Sequence, residues 1–149
     1  MALASLTAQE RLESLKAGIL AGAGAATATG LFQLLHLLLL PHGSGGLAAL
    51  PVAFTPAGWL DWAIATFSAA LFGITYRYAV RTDSNPHLKS GVVGAFALVR
   101  ALALVEMGLM AQVPLVSLGI LAVESGGMVA IAFLTVDGAI RHHWLRPCK

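Results

Sequence analysis

Residues 17–40 read AGILAGAGAATATGLFQLLHLLLL, twenty-four positions without an aspartate, glutamate, lysine or arginine. A helix needs roughly 20 apolar residues to cross about 30 Å of hydrocarbon, so this stretch is long enough to be a transmembrane span. It is too long for the apolar core of a cleavable leader. The charged residues before it, Glu10, Arg11, Glu13 and Lys16, extend the same helix, and Thr7 with Glu10 has the Thr-x-x-Glu spacing of a capping box, which places the helix start near Ala8. Inside the run Gly18, Gly22, Ala26 and Gly30 recur every fourth residue. Small side chains at that spacing form one ridge that admits a neighbouring backbone, so close helix packing is expected along it.

The rest of the 149-residue chain has the same character. Hydrophobic residues make up 58% of it and charged residues 11%, with a mean hydropathy of +0.81, far from the balance of a soluble domain. The pattern predicts one all-α membrane domain with spans at about 17–40, 59–80, 91–113 and 115–140, a short helical extension at 8–16 and a basic tail at 141–149. The stretch PHGSGG at 41–46 ends the first span. Trp59 and Trp62 open the second, with Asp61 where the positive end of a helix favours an acid, and Arg77, Tyr78 and Arg81 close it. In the turn Asp83-Ser84-Asn85-Pro86, Asn85 suits an N-cap and Pro86 the first helical position. Pro114 separates the third span from the fourth, and Asp137 and Arg141 stand four residues apart near the end of the last, with Trp144 beyond them.

Charge position predicts orientation. Arg11 and Lys16 precede the first span, Arg77, Arg81 and Lys89 lie between the second and third, and Arg141, Arg146 and Lys149 follow the fourth. Four crossings put these three segments on one face, while the loop 47–54 and the turn near Pro114 carry no Lys or Arg. This positive-inside pattern places both termini on the cytoplasmic side. Nine Lys and Arg against seven Asp and Glu give a formal charge of only +2, which argues against a nucleic-acid partner. A single cysteine, Cys148, rules out a disulfide within the chain.

Three charges stay inside the apolar hairpin. Residues 103–110, ALVEMGLM, and 121–128, LAVESGGM, each set a glutamate in a run of apolar residues. Glu106 lies nine residues before Leu115 and Glu124 nine after, so a turn centred there would bring both to one depth, about 13.5 Å in, face to face. A charge at the centre of a bilayer costs about 2.5–3.5 kcal/mol even on lenient scales, so each needs a partner. Arg100 is six residues from Glu106, about 120° around the helix, and is expected to reach a carboxylate on another helix or subunit. Arg100, Glu106 and Glu124 are therefore either a packing set or a proton or cation site.

Other chemistry is sparsely signalled. His36 is the one histidine inside a span, and a lone histidine is weak evidence for a haem or pigment ligand. His142 and His143 point about 100° apart on a helix and suit a solvated surface better than a metal site. No nucleophile elbow, zincin histidine pair or phosphate-binding loop occurs, and Gly22-Ala23-Gly24 lacks the strand and third glycine of a dinucleotide site. No metal or cofactor is expected.

Residues 75–100, TYRYAVRTDSNPHLKSGVVGAFALVR, resemble a segment of a family of small uncharacterised multi-span membrane proteins of cyanobacteria and plant plastids, on Arg77, Arg81, Asp83, Asn85, Pro86, Lys89, Gly91 and Arg100. The resemblance implies a plasma, thylakoid or plastid membrane and assigns no activity. The expectation is a non-enzymatic membrane protein that works through helix packing, as an accessory subunit, assembly factor or small homo-oligomer. Its partners would be the bilayer and other membrane subunits or itself, met through the ridge of the first helix, the loop 47–54 and the basic loop carrying Arg77, Arg81 and Lys89. The rival is a small proton or cation transporter or channel unit built on Glu106, Glu124 and Arg100.

Overall fold

The computed structural model describes residues 8–39, 54–81 and 85–148. Among them the chain forms four α-helices and no strand: α1 (Ala8–Leu39), α2 (Pro56–Val80), α3 (Pro86–Met110) and α4 (Leu115–Arg141). Each is long and apolar enough to cross a membrane. The Thr7 cap, the break at 41–46, the loop at 47–53 and the turn residues Asp83 and Ser84 lie outside the described residues.

Local chemistry accounts for the helix ends. Helix α2 begins three residues before Trp59, because the Thr55 hydroxyl accepts the Gly58 N–H at 3.0 Å and Pro56 fills the first helical position, where a missing N–H is harmless. Asp61 is consequently past the first turn, and the helix-end reason for its presence does not hold. Helix α3 begins as its sequence suggests, with the Asn85 side chain accepting the His87 N–H at 3.0 Å and Pro86 following it.

The other end of α3 comes three residues earlier than 113. Val113 donates to the Gly108 carbonyl at 2.8 Å and Gln112 to that of Leu109 at 3.1 Å, with Gln112 in the left-handed region at φ 55°. This is a Schellman closure, and Pro114 prevents the helix from resuming. Helix α4 ends the same way: Trp144 donates to Ala139 at 2.9 Å, His143 to Ile140 at 3.1 Å, and His143 has φ 58°. The reversal folds the tail back, burying Leu145 and Cys148 while His142 and His143 stay exposed.

Helix α1 packs between α2 and α4, α3 lies against α4 and touches α2 less, and α1 and α3 stand on a diagonal without close backbone approach. The ridge of α1 is spent inside the chain. A Cβ on Gly18 would lie 3.1 Å from the Ala70 carbonyl oxygen and one on Gly22 3.3 Å from that of Thr66. The Ala26 carbonyl accepts the Trp62 indole N–H at 2.9 Å, and Gly30 faces the same ring nitrogen. Ala17, Ala21 and Ala25 line up with Ala65, Ala69, Phe72 and Met128 in the core. Phe72 meets Phe96 edge-on at 5.3 Å and Tyr76 meets Phe133 at 5.5 Å, so aromatic pairs join α2 to α3 and α4.

Candidate functional site

Two polar clusters interrupt this apolar core, one toward each end. At the end where α1 begins and α4 finishes, Asp137 of α4 is almost fully buried. It accepts the Tyr76 hydroxyl at 2.9 Å and the Lys89 ammonium at 2.7 Å, and its second oxygen takes the Arg141 guanidinium at 2.6 Å. The spacing of Asp137 and Arg141 foretold the last contact but not the first two, which depend on how α2 and α3 are rotated. Arg77, also buried, donates to the Ser14 hydroxyl at 2.6 Å, the Glu10 carbonyl at 3.1 Å and the Arg146 carbonyl at 2.9 Å. Glu13 accepts Lys16 at 2.8 Å and the Arg146 N–H at 3.1 Å. Of the three cations read as an outward basic loop, Arg77 and Lys89 are therefore turned inward, and only Arg81 is exposed. This cluster is a clamp whose charges are all engaged with the fold.

The second cluster, nearer the uncharged end, has a different construction. Gln33 and His36 sit three residues apart on one face of α1 and are both buried. Gln33 donates to the Gly58 carbonyl at 2.8 Å and to Asp61 at 3.1 Å. Asp61 in turn pairs with Arg100 of α3 at 3.3 Å, so the arginine does find its carboxylate on another helix. His36 Nε2 lies 2.8 Å from a Glu124 carboxylate oxygen on α4.

The two acid–base pairs line one cleft together with Thr29, Leu104 and Ser125, and all four helices contribute to it. Its free volume is about 20 Å³, room for a single water molecule and too little for an organic substrate. Arg100 Nε and the Ser125 hydroxyl are buried there with no hydrogen-bond partner among the described residues. The Arg100 Nε–H can donate to a water in the cleft, and the Ser125 hydroxyl can both donate to and accept from one.

Glu106 is not part of this site. It is exposed on the far side of α3. Gly108 packs against Leu118, a hairpin register that sets Glu106 level with Ile120 and Glu124 level with Leu102, about 6 Å apart in depth. The two glutamates do not face each other, because the early closure of α3 assigns four residues to the turn and destroys the symmetry about Leu115.

The sequence reading missed Gln33, Asp61 and Ser125 as site residues and gave His36 no partner. One signal was present: Gln33 and His36, three apart in an otherwise apolar run, mark a polar face on α1. Among the described residues no group of three or more His, Cys, Asp or Glu side chains could hold a metal ion. Between the clusters lie Phe72, Met128 and Ala132, an apolar layer that spans most of the thirteen residues, about 20 Å, from Glu124 to Asp137. Comparison of the chain with protein-family models, with curated proteins and with solved structures finds no match.

Proposed function

We propose that the chain is an integral membrane protein of four crossings, with its basic end and both termini on the cytoplasmic side, and that it handles protons through the cleft between His36, Glu124, Asp61 and Arg100. The observation that carries this reading is the His36–Glu124 pair, a base and an acid 2.8 Å apart in a pocket the size of one water. Ionisable groups inside membrane helices mark ion or proton pathways by default. A proton can reside on either member of this pair, whereas a metal cation would be repelled by Arg100 and would find too few oxygens for its shell. The apolar layer below the cleft makes it a dead end toward the basic side, so transfer across the bilayer requires a second conformation that exchanges access.

Two measurements test the proposal. In a Cys148→Ser background, a cysteine replacing Ser84 should react only from the cytoplasmic side and one replacing Ser44 only from the opposite side, since lysine and arginine are confined to one face. Labelling of both from one side would rule out four crossings. In proteoliposomes carrying a pH-sensitive dye, the wild type should move protons above the protein-free leak. Glu124→Gln should insert normally and lower that flux at least tenfold, because an amide does not titrate. Wild-type vesicles no leakier than empty ones, or a glutamine variant of equal flux, would reject proton handling.

The second reading, a non-enzymatic accessory subunit or assembly factor, draws its support from α3, in which only Gly108 is fully buried and a whole stripe, Ala95, Leu98, Leu102 and Leu109, is exposed.

A further inference from the structure

The geometry points to α3 as the docking face for a transmembrane helix of a different protein, one that carries a lysine or arginine at the depth of Glu106. This inference rests on the membrane reading and not on the proton reading. Ala95, Leu98, Leu102, Glu106 and Leu109 follow one another at helical spacing and are all exposed. Lipid covers the apolar members of such a stripe as well as protein does. It cannot cover Glu106, which sits four residues inside the end of α3 with neither an ion pair nor a hydrogen bond among the described residues. One turn inside the helix end a carboxylate costs less than at the bilayer centre, but it still favours a cation or a strong donor beside it.

The chain cannot supply that group itself. The seven described lysines and arginines other than Arg100 belong to the opposite end of the bundle, the segment joining α1 to α2 has none, and Arg100 is committed to Asp61 on the inner side of α3. A second copy inserted with the same topology would set Glu106 against Glu106, like charge against like, and would bring no cation to the outer half of the interface. Charge complementarity therefore selects a foreign helix with a basic side chain one to two turns from its outer end. Such a contact would be polar and localised, with the apolar stripe of α3 fixing the approach.

The test uses the full chain, fluorescently labelled at its N-terminus, in phosphatidylcholine vesicles with a single-span Leu/Ala peptide. One version of the peptide has a lysine six residues from its outer end and the other a leucine there. Energy transfer should show the lysine peptide binding at least tenfold more tightly than the leucine peptide, and Glu106→Gln should abolish the preference. Equal binding of the two peptides, or a preference that survives Glu106→Gln, overturns the inference. So does transfer between two differently labelled copies of the chain that disappears in Glu106→Gln, because it seats a second copy on this face. Flotation of the vesicles after an alkaline wash separates the two failures. A chain that fails to float rejects the membrane reading and this inference with it, whereas a chain that floats but does not discriminate between the peptides rejects this inference alone.

Discussion

Replacing Asp137 with alanine is expected to destabilise the bundle by about 3 kcal/mol, the lower part of the range for removing one member of a buried ion pair. The carboxylate is almost wholly buried and serves groups from three helices: Tyr76 on α2, Lys89 on α3 and Arg141 on its own α4. Without it the Tyr76 hydroxyl loses its acceptor in the core, and Lys89, itself mostly buried, keeps a charge without a counterion. Arg141 is largely exposed and contributes little to the loss, since water replaces its partner. Asp137→Asn should fall between wild type and alanine, because the amide oxygen still accepts from Tyr76. Thermal unfolding in mild detergent reads the order directly. Equal midpoints for all three proteins would mean that Lys89 and Tyr76 find other acceptors and that this network does not hold α3 to the bundle.

Gly73→Leu should be at least as damaging, for a reason of shape. Even a Cβ at this position would come within 2.5 Å of the Ala17 carbonyl oxygen and 2.6 Å of the Ala21 Cβ. Neither atom can swing aside, because one is backbone and the other is fixed to it. Gly73→Ala must therefore push α1 and α2 apart, at a cost of about 1–3 kcal/mol for overpacking, which exceeds the roughly 0.5–1 kcal/mol that alanine gains over glycine within a helix. Leucine adds three more carbons and separates the helices far enough to break the Trp62–Ala26 and Gln33–Gly58 hydrogen bonds as well. Gly91→Ala is the control: nothing lies within 4 Å of its Cβ, so only the helix-propensity gain remains. A stability ranking in which Gly73→Ala matches Gly91→Ala would show that the α1–α2 interface yields freely.

These contacts also mark what could be read from the chain beforehand. Four helices of spanning length were legible, since apolar length needs no tertiary knowledge, and Asn85 with Pro86 announced the start of α3. The start of α2 is signalled by Thr55-Pro56 rather than by the tryptophans. Partner identity was not legible. Asp61, Arg100, His36 and Glu124 come from four helices, and which of them meet is decided by the rotation of each helix about its axis. A one-residue change in register turns a side chain by about 100°, and apolar runs as uniform as these leave little in the sequence to fix that angle. Glu106 and Glu124 illustrate the point: both sit in a Val-Glu-x-Gly-x-Met context, yet one faces away and the other faces the cleft.

The pairing of α1 with α4 also orders events in time. His36 precedes Glu124 by 88 residues, and at about 5–20 residues per second of synthesis it waits roughly 4–18 s for its acid. Gln33 waits far less, because Gly58 and Asp61 follow it by only 25 and 28 residues. A newborn α1–α2 hairpin can thus close on its glycine ridge and satisfy Gln33 before Glu124 has been made. Glu13 is further from completion, since the Arg146 N–H that it accepts arrives 133 residues later. A chain interrupted anywhere before α4 lacks the His36–Glu124 pair, so the chemistry of the cleft belongs only to finished molecules.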